Sequence, residues 1–328
     1  MDPVAALQEI ATLLEQERAS KYRAKAFRTA IAVLESMPDD QRDDLAAVRR
    51  AAGIGDTTFT VISQAREGRV PDYLAELRGT ASLPVSALRS RLRGDLHSHS
   101  EWSDGATPVA AMVEAARALG HEYLALTDHS PRLRVAHGLS AERLEEQLEH
   151  LATLETGPLR LLSGIEVDVL DDGSLDQADE LLERLDVVVA SAHSALRMPS
   201  REMTARLVGA ASDPRTNVLG HVTGRLVSGE RGTRPPSTFD AAAVFRACAD
   251  HSTAVEINAR PEREDPPDEL IALAIEAGCL FSIDSDAHAP GQLALLDYGA
   301  ERAERLGVPE ERIVTTWPVE RLLEWTRA

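Results

Sequence analysis

The sequence predicts an α/β barrel of parallel strands, preceded by a small all-helical domain. From Gly94 to Ala328, short apolar segments alternate with helical patterns such as DELIALAIEAG. Regular alternation of strand and helix is typical of a parallel sheet. Before Gly94, apolar residues recur at helical spacing instead. The number of strand segments, seven, favours closure of the sheet into a barrel that resembles the (β/α)8 TIM barrel.

The helical domain is predicted over residues 1–78, with about five short helices. Apolar residues recur every three or four positions from Val4 to Leu34, and the pattern resumes after a break at Gly53-Ile54-Gly55. Glycine pairs of this kind interrupt helices. The stretch 79–93 contains small residues and a proline and is predicted to be a linker.

Each predicted strand is short, apolar and rich in β-branched residues or leucine. In chain order the segments span 94–99, 122–127, 159–166, 186–191, 216–221, 253–258 and 279–285.

Composition excludes several classes of protein. Hydrophobic residues make up 43% of the 328 residues, so the chain is not intrinsically disordered. No apolar run reaches the roughly 18 residues of a membrane helix, and the first residues lack the pattern of a secretory signal. Cys248 and Cys279 have no paired spacing and are expected to be small buried apolar residues. We therefore expect a cytoplasmic protein.

The charge is unevenly distributed. Residues 1–90 hold 12 basic and 13 acidic residues, whereas the remaining 238 hold 23 and 41, so a net charge of −18 lies in the larger part. Such a surface repels nucleic acid unless bound cations or a local basic patch offset it.

The stretch GDLHSHSEWSDG at 94–105 places two imidazoles, His97 and His99, at alternate positions of a strand. Residues i and i+2 point to the same side of a strand, so this is a metal-ligand pattern or a pair of surface histidines before a turn. The rest of the chain favours metal binding, because other polar residues also lie where predicted strands end. They are His129, Glu166, His193, His221, Asp286 and His288.

The C-terminal ends of parallel strands in a barrel share one rim, where enzymes of this architecture build their sites. The polar residues at the strand ends should therefore converge. The other four histidines are expected to lie on the surface, at positions 121, 137, 150 and 251.

Seven stretches together resemble the polymerase-and-histidinol-phosphatase (PHP) family, most closely the C-terminal PHP domain of bacterial family-X DNA polymerases. They are GDLHSHSEWSDG, YLALTDHS, GIEVDVLDDGSLD, VVVASAHSALRM, LGHVTGR, VEINARPERED and FSIDSDAH, in order over residues 94–290. The resemblance implies a distorted seven-stranded barrel over residues 94–328 and a metal-dependent phosphoesterase.

The resemblance also implies a site for three divalent ions with nine ligand side chains. Position by position, the first ion is held by His97, His99, Glu166 and Asp286, the second by Glu166, His193 and His221, and the third by Asp104, His129 and His288. Imidazole and carboxylate ligands suit zinc, manganese or iron.

The chemistry of such a site is phosphate-ester hydrolysis. A water that bridges close cations loses a proton near neutral pH and acts as the nucleophile. Asp128 is predicted either to orient a ligand histidine or to cap a loop. Arg225 and Arg260 follow the fifth and sixth strands and are predicted to bind phosphate oxygens, with surface salt bridges as the alternative.

Residues 1–78 resemble the helical N-terminal domain of family X, through SKYRAKAFRTAI and a helix-hairpin-helix-like GIG at 53–55. Hairpin glycines let backbone amides approach a DNA phosphate. The resemblance places the Schiff-base lysine of lyase-competent relatives at Val61, which excludes lyase activity by that residue. The polymerase palm is absent between the two parts, so the chain is not expected to be a polymerase.

Two substrates fit the resemblance: 3′ ends of DNA, as for a 3′–5′ exonuclease, or a small phosphomonoester of the histidinol-phosphatase type. We favour DNA, because the helical domain otherwise lacks a purpose. A metal-dependent amidohydrolase also begins with HxH, but no lysine follows Lys25 to bridge its metals. A non-catalytic DNA-binding scaffold with structural metals is the remaining alternative, although a structural site needs only four ligands.

Overall fold

A computed structural model describes residues 1–17, 21–80, 82–229 and 232–328. The chain divides into two units, Met1–Ser82 and Leu83–Ala328. Within the described residues, none of the helices combines the length and apolarity that a bilayer span requires.

The first unit contains six described helices rather than about five. They are α1 (Pro3–Gln16), α2 (Lys21–Ser36), α3 (Asp39–Asp43), α4 (Leu45–Arg50), α5 (Asp56–Arg66) and α6 (Asp72–Thr80). The extra helix arises at Asp44, whose side chain accepts a hydrogen bond from the amide of Ala46 and so starts α4 directly after α3. The apolar residues at helical spacing, such as Leu7 and Ile62, form the core of this unit.

The GIG segment forms the turn between α4 and α5. Gly53 has a φ of +95°, and a Cβ there would lie 2.9 Å from Cγ2 of Thr29, so this position requires glycine. Gly55 is the N-cap of α5, and its amide donates a hydrogen bond to the hydroxyl oxygen of Thr58. Asp56, the first residue of α5, forms an ion pair with Arg49.

The second unit contains the seven parallel strands that the sequence predicts, and the α/β barrel is confirmed. The strands are β1 (Gly94–Asp95), β2 (Tyr123–Leu126), β3 (Arg160–Asp168), β4 (Val187–Ser191), β5 (Val218–Leu219), β6 (Ala254–Asn258) and β7 (Phe281–Asp284). They are hydrogen-bonded in sequence order, and every pairing is parallel.

Helices follow the strands and bury their apolar faces against the sheet. They are α7 (Val109–Ala118), α8 (Ala141–Thr153), α9 (Asp179–Leu182), α10 (Ser200–Ser212), α11 (Ala241–Asp250), α12 (Asp268–Ala277), α13 (Leu296–Arg305) and α14 (Val319–Thr326). Cys248 and Cys279 are buried free thiols in this core, as predicted.

Strands β1 and β7 meet at a seam where side-chain hydrogen bonds add to a parallel backbone bridge between Ser98 and Ala287. The amide of Leu96 donates to Oδ1 of Asp284 over 2.9 Å, and Asp95 accepts from both the amide and the hydroxyl of Ser285. Both carboxylates are fully buried. They accept hydrogen bonds from the backbone amides that lie next to this bridge.

The interval 79–93 is only partly irregular. It contains the end of α6 and a 3₁₀ turn over Leu88–Arg91, and Leu88 packs with the barrel core. Arg89 forms an ion pair with Asp297 at 2.6 Å. The second half of this interval is therefore structurally part of the barrel unit.

Candidate metal centre

The carboxylate of Glu166, at the C-terminal part of β3, is surrounded by five imidazoles. Its side chain is 1% exposed. Each of its two oxygens lies within 4 Å of imidazole nitrogens from other strand ends. The distances from Oε2 are 3.4 Å to His97 Nε2, 3.7 Å to His99 Nε2 and 2.7 Å to His129 Nδ1, and those from Oε1 are 3.3 Å to His193 Nε2 and 2.8 Å to His221 Nε2.

The five rings also contact one another in a closed circuit. Successive ring centroids are 5.1 Å apart for His97 and His99, 4.4 Å for His99 and His129, 5.3 Å for His129 and His193, 5.2 Å for His193 and His221, and 6.0 Å for His221 and His97. The circuit follows from the topology, because β1 to β5 deliver their last polar residues to the same rim.

The remaining three predicted ligands lie on one side of this circuit. Nε2 of His288 is 3.3 Å from Oδ1 of Asp104, which is also 3.4 Å from Nε2 of His129. Oδ1 of Asp286 is 3.4 Å from Nε2 of His99. Asp286 has a φ of +51°, in the left-handed region that residues other than glycine adopt only where the surrounding structure imposes it.

Three groups of these side chains bring ligand atoms within 4.8 Å of one another. They are His99, Asp104, His129 and His288, then His97, His99 and Glu166, and finally His129, Glu166 and His193. These groups contain seven of the nine predicted ligands, and His99, His129 and Glu166 are each shared between two groups. The other two, His221 and Asp286, contact Glu166 and His99 at the same rim. The assignment of particular ligands to particular ions stays a prediction.

The donor set fits divalent cations. Among the described residues, buried ligand atoms here lack a hydrogen-bond partner, including Nε2 of His97 and both ring nitrogens of His99. Buried lone pairs without a partner are costly, and a cation would supply that partner.

The charge of the centre also fits cations. The carboxylates at or beside the rim that are at most 2% exposed include Asp95, Glu166, Asp168, Glu256, Asp284 and Asp286. Arg263 is a buried guanidinium beside them, 6% exposed. Buried negative charge in this excess requires compensation by protons or metal ions.

The pKa values of the centre show where protons gather in the absence of metal. Burial alone would lower the pKa of His129, but Glu166 and Asp104 raise it to about 10. Burial together with His288 and His129 lowers the pKa of His99 to about 3. Although burial opposes it, the imidazoles hold the pKa of Glu166 well below its usual range. Imidazolium and carboxylate thus neutralise each other where cations would bind.

Two ligands are held by residues that the sequence analysis did not single out. The amide of His193 donates to Oδ1 of Asp168 over 3.0 Å, and its Nδ1 lies 3.3 Å from the same oxygen. Oδ2 of Asp286 accepts from Nε of Arg263 over 3.0 Å and from Nδ2 of Asn258 over 3.2 Å. Asp168 could have been found, because it lies two residues after Glu166 on the same strand.

Asp128 lies beneath the loop that carries Asp104. It accepts hydrogen bonds from the amide and hydroxyl of Ser100, from the hydroxyl of Ser103 and from Nε2 of Gln147. This is the loop-capping arrangement that the sequence left as an alternative, and the hydrogen bonds described for Asp128 do not reach a ligand histidine.

Arg225 and Arg260 reach different parts of the rim. Nε of Arg225 donates to the carbonyl of Arg263 over 3.0 Å. Nη1 of Arg260 lies 2.8 Å from the carbonyl oxygen of Asp286 and 3.2 Å from Nδ1 of His288. Both arginines line a cavity of about 550 Å³ next to the centre, together with Tyr298.

His121, expected on the surface, is buried instead. It is 6% exposed, and neither ring nitrogen has a hydrogen-bond partner among the described residues. Its position just before β2 brings it beneath the barrel, on the opposite side from the strand ends that carry the ligands.

Comparisons with known proteins identify the family of this chain. The model of the PHP domain matches residues 95–260. The DNA polymerase/3′-5′ exonuclease PolX of Bacillus subtilis is 40% identical over 200 residues, which are 60% of this chain and 34% of PolX. The probable phosphatase VPA0505 of Vibrio parahaemolyticus is 30% identical over 236 residues, which are 68% of this chain and 88% of that protein. A solved histidinol phosphate phosphatase of Lactococcus lactis covers 66% of this chain and 94% of its own, with 17% identity and a TM-score of 0.48.

The match to the PHP domain and the relatives named as phosphatases indicate a phosphoesterase hydrolase of the metal-dependent barrel class. The chain belongs to the PHP domain family. The match spans only about a third of the length of PolX.

Proposed function

We propose that this protein hydrolyses phosphate esters at a centre of three divalent ions, and that its substrates are 3′ ends of DNA. The observation that carries the proposal is the position of Glu166 within a circuit of five imidazoles. Divalent zinc, manganese or iron bound there would polarise a phosphate ester and lower the pKa of water to near neutrality.

The nine ligand side chains take distinct parts in this proposal. Two ions would be held in the interior of the rim, the first by His97, His99, Glu166 and Asp286 and the second by Glu166, His193 and His221. The third ion would be held by Asp104, His129 and His288. The side chains of Asp104 and His288 are 34% and 25% exposed. Because this edge is more open than the buried interior, we propose that the substrate enters over Asp104 and His288.

Arg260 is the better placed of the two arginines to bind phosphate oxygens. Its guanidinium contacts His288 and lines the cavity of about 550 Å³, so it lies between the ligands and that space. We propose that the leaving group occupies this cavity. Arg225, which is held by the carbonyl of Arg263, would shape the wall of the cavity.

The proposal of a DNA substrate is supported by the similarity to PolX and by the helical unit with its GIG turn. At that turn Arg49 pairs with Asp56, which reduces the repulsion that Asp56 would exert on a phosphate. The competing proposal, a small phosphomonoester, is supported by the 88% coverage of the probable phosphatase and by the net charge of −18 in the barrel part.

The test compares hydrolysis of p-nitrophenyl phosphate, bis-p-nitrophenyl phosphate and a 3′-tailed oligonucleotide by protein of measured metal content. We expect Glu166→Gln and His193→Ala to abolish hydrolysis, and the exposed Glu155→Gln to retain it. Retained hydrolysis in both site variants would exclude this centre. A steep fall of oligonucleotide cleavage with salt supports DNA, because phosphate contacts release counterions. A flat salt response with preference for the monoester supports the small substrate instead.

A further inference from the structure

Strand β6 contributes no predicted ligand, although every other strand of the barrel contributes at least one. Its two polar side chains, Glu256 and Asn258, are nevertheless buried, at 0% and 1% exposure. They lie at alternate positions of the strand, so both point to the same side of the sheet. Both contact residues of the metal centre.

Glu256 contacts two ligands from different strands. Its Oε1 lies 2.6 Å from Nδ1 of His97, which follows β1. Its Oε2 accepts from the amide of His221, which follows β5, over 2.5 Å and from Nδ2 of Asn258 over 3.1 Å. One carboxylate therefore fixes a ligand ring on one side and a ligand backbone on the other.

We infer that Glu256 is a positioning residue of the metal centre. A carboxylate that accepts from Nδ1 of His97 keeps the proton on Nδ1. It thereby leaves the lone pair of Nε2 directed at Glu166 Oε2, 3.4 Å away, where an ion would bind. This inference rests on the proposed function only in requiring that the imidazoles bind metal.

The contacts of Glu256 favour a carboxylate over a carboxamide. An imidazole nitrogen contacts one of its oxygens, and a backbone amide and a carboxamide donate to the other. A glutamine would fill the same volume, but its NH2 group would face one of these donors. A carboxylate is also favoured because a hydrogen bond from Nδ1 to a negative charge makes the other ring nitrogen a stronger ligand for a cation.

The test is Glu256→Gln. The carboxamide can present its oxygen to His97 or to the amide of His221, but not to both at once. If the oxygen faces the amide of His221, the NH2 group faces Nδ1 of His97. Nδ1 must then accept a hydrogen bond, so the ring proton moves to Nε2. We expect Mn²⁺ affinity, measured by elemental analysis across chelator-buffered Mn²⁺, to fall about 10–100-fold. The visible spectrum of the Co²⁺-loaded protein should also change.

The matched control is Glu15→Gln, which alters a buried carboxylate of the helical unit that pairs with Arg28. It should leave Mn²⁺ affinity and the Co²⁺ spectrum unchanged. A folded Glu256→Gln protein with wild-type affinity and spectrum would overturn the inference.

If Glu256→Gln does not fold, the wild-type protein provides the test. Nitrogen NMR of histidine-labelled, Zn²⁺-loaded protein, assigned with His97→Gln, should show the His97 proton on Nδ1. A proton on Nε2 would overturn the inference. Failure of the proposed function would appear separately, as wild-type protein that binds metal but hydrolyses no phosphate ester.

Discussion

Arg263 donates from Nε to Oδ2 of Asp286 over 3.0 Å, and both side chains are buried. Burial alone would raise the pKa of Asp286, but Arg263 and His99 hold it well below its usual range. The contact leaves Oδ1 of Asp286 directed at His99. A guanidinium thus occupies one side of a carboxylate whose other side is predicted to bind a cation.

Replacing Arg263 should therefore destabilise the metal-free protein more than the metal-loaded one. Without metal, Arg263→Met leaves Asp286 as a buried charge without its cation, which costs about 3–5 kcal/mol. With Mn²⁺ bound, the ion replaces part of the lost attraction. Urea unfolding with and without Mn²⁺ measures the difference. The control is Arg206→Met, a fully buried guanidinium that donates to the carbonyls of Val169 and Ser194. It should cost the same in both states, and equal costs for Arg263→Met would contradict the prediction.

Metal binding should release protons. At pH 7 the metal-free centre holds a proton on His129, whose pKa is raised to about 10 by Glu166 and Asp104 against the effect of burial. An ion must displace that proton, so affinity should rise with pH up to about 10, by about tenfold per pH unit for each proton displaced. Calorimetry of Mn²⁺ binding in two buffers of different ionisation enthalpy counts the protons. The His129→Gln variant should release fewer protons on binding Mn²⁺ than the wild-type protein does. A wild-type protein that releases no protons would refute this prediction.

Asp128 and Gln147 should behave as a complementary pair under the loop that carries Asp104. Asp128→Asn places a donor against Nε2 of Gln147 and should cost about 1–3 kcal/mol of unfolding free energy. It should also weaken binding of one ion per chain, because the loop that holds Asp104 loosens. Adding Gln147→Glu restores a donor–acceptor pair and should recover both quantities. A double variant no better than the single one would show that Asp128 acts through another contact.

His121 should make the barrel sensitive to mild acid. Burial, with a contribution from Arg89, lowers its pKa to about 4, whereas the unfolded chain has its ordinary value of 6.5. Between pH 4 and pH 6.5 the unfolded chain therefore binds more protons at His121 than the folded protein does. The stability that His121 contributes is therefore complete above pH 6.5 and is lost as the pH falls towards 4. His121→Leu should reduce the loss of stability between pH 7 and 5 by about 2 kcal/mol relative to wild type. Urea unfolding at both pH values tests this, with the exposed His251→Gln expected to follow wild type.

Most of the ligands that sequence reasoning found share one signal, a polar side chain at the end of an apolar strand. The apolar segments predicted the number and order of the strands, and the polar side chains at their ends predicted that His97, Glu166 and His288 lie at one rim. It could not reveal Glu256, because an acidic residue within the body of a short strand has no strand-end position to mark it. Reading Glu256 and Asn258 as alternate buried positions would have needed the knowledge that β6 is covered on both faces.

His121 and the helices of the first unit show a second limit. The sequence around His121 is that of an ordinary helix-to-strand connection, and burial there comes from distant parts of the chain. The division of 39–50 into α3 and α4 depends on the cap at Asp44, a single hydrogen bond that periodicity does not register. Local pattern predicts elements well, but contacts between remote segments decide which polar residues are buried.

The carboxylates Asp95 and Asp284, which join β1 to β7, directly adjoin the segments that carry His97 and Asp286. Separation of the two edge strands would therefore displace ligands from both, and loss of the ions would remove a force that keeps these strands together. Amide hydrogens at Leu96 and Ser285 should therefore exchange with solvent more slowly when metal is bound. The resistance of this barrel to transient opening and its affinity for metal would then depend on the same contacts.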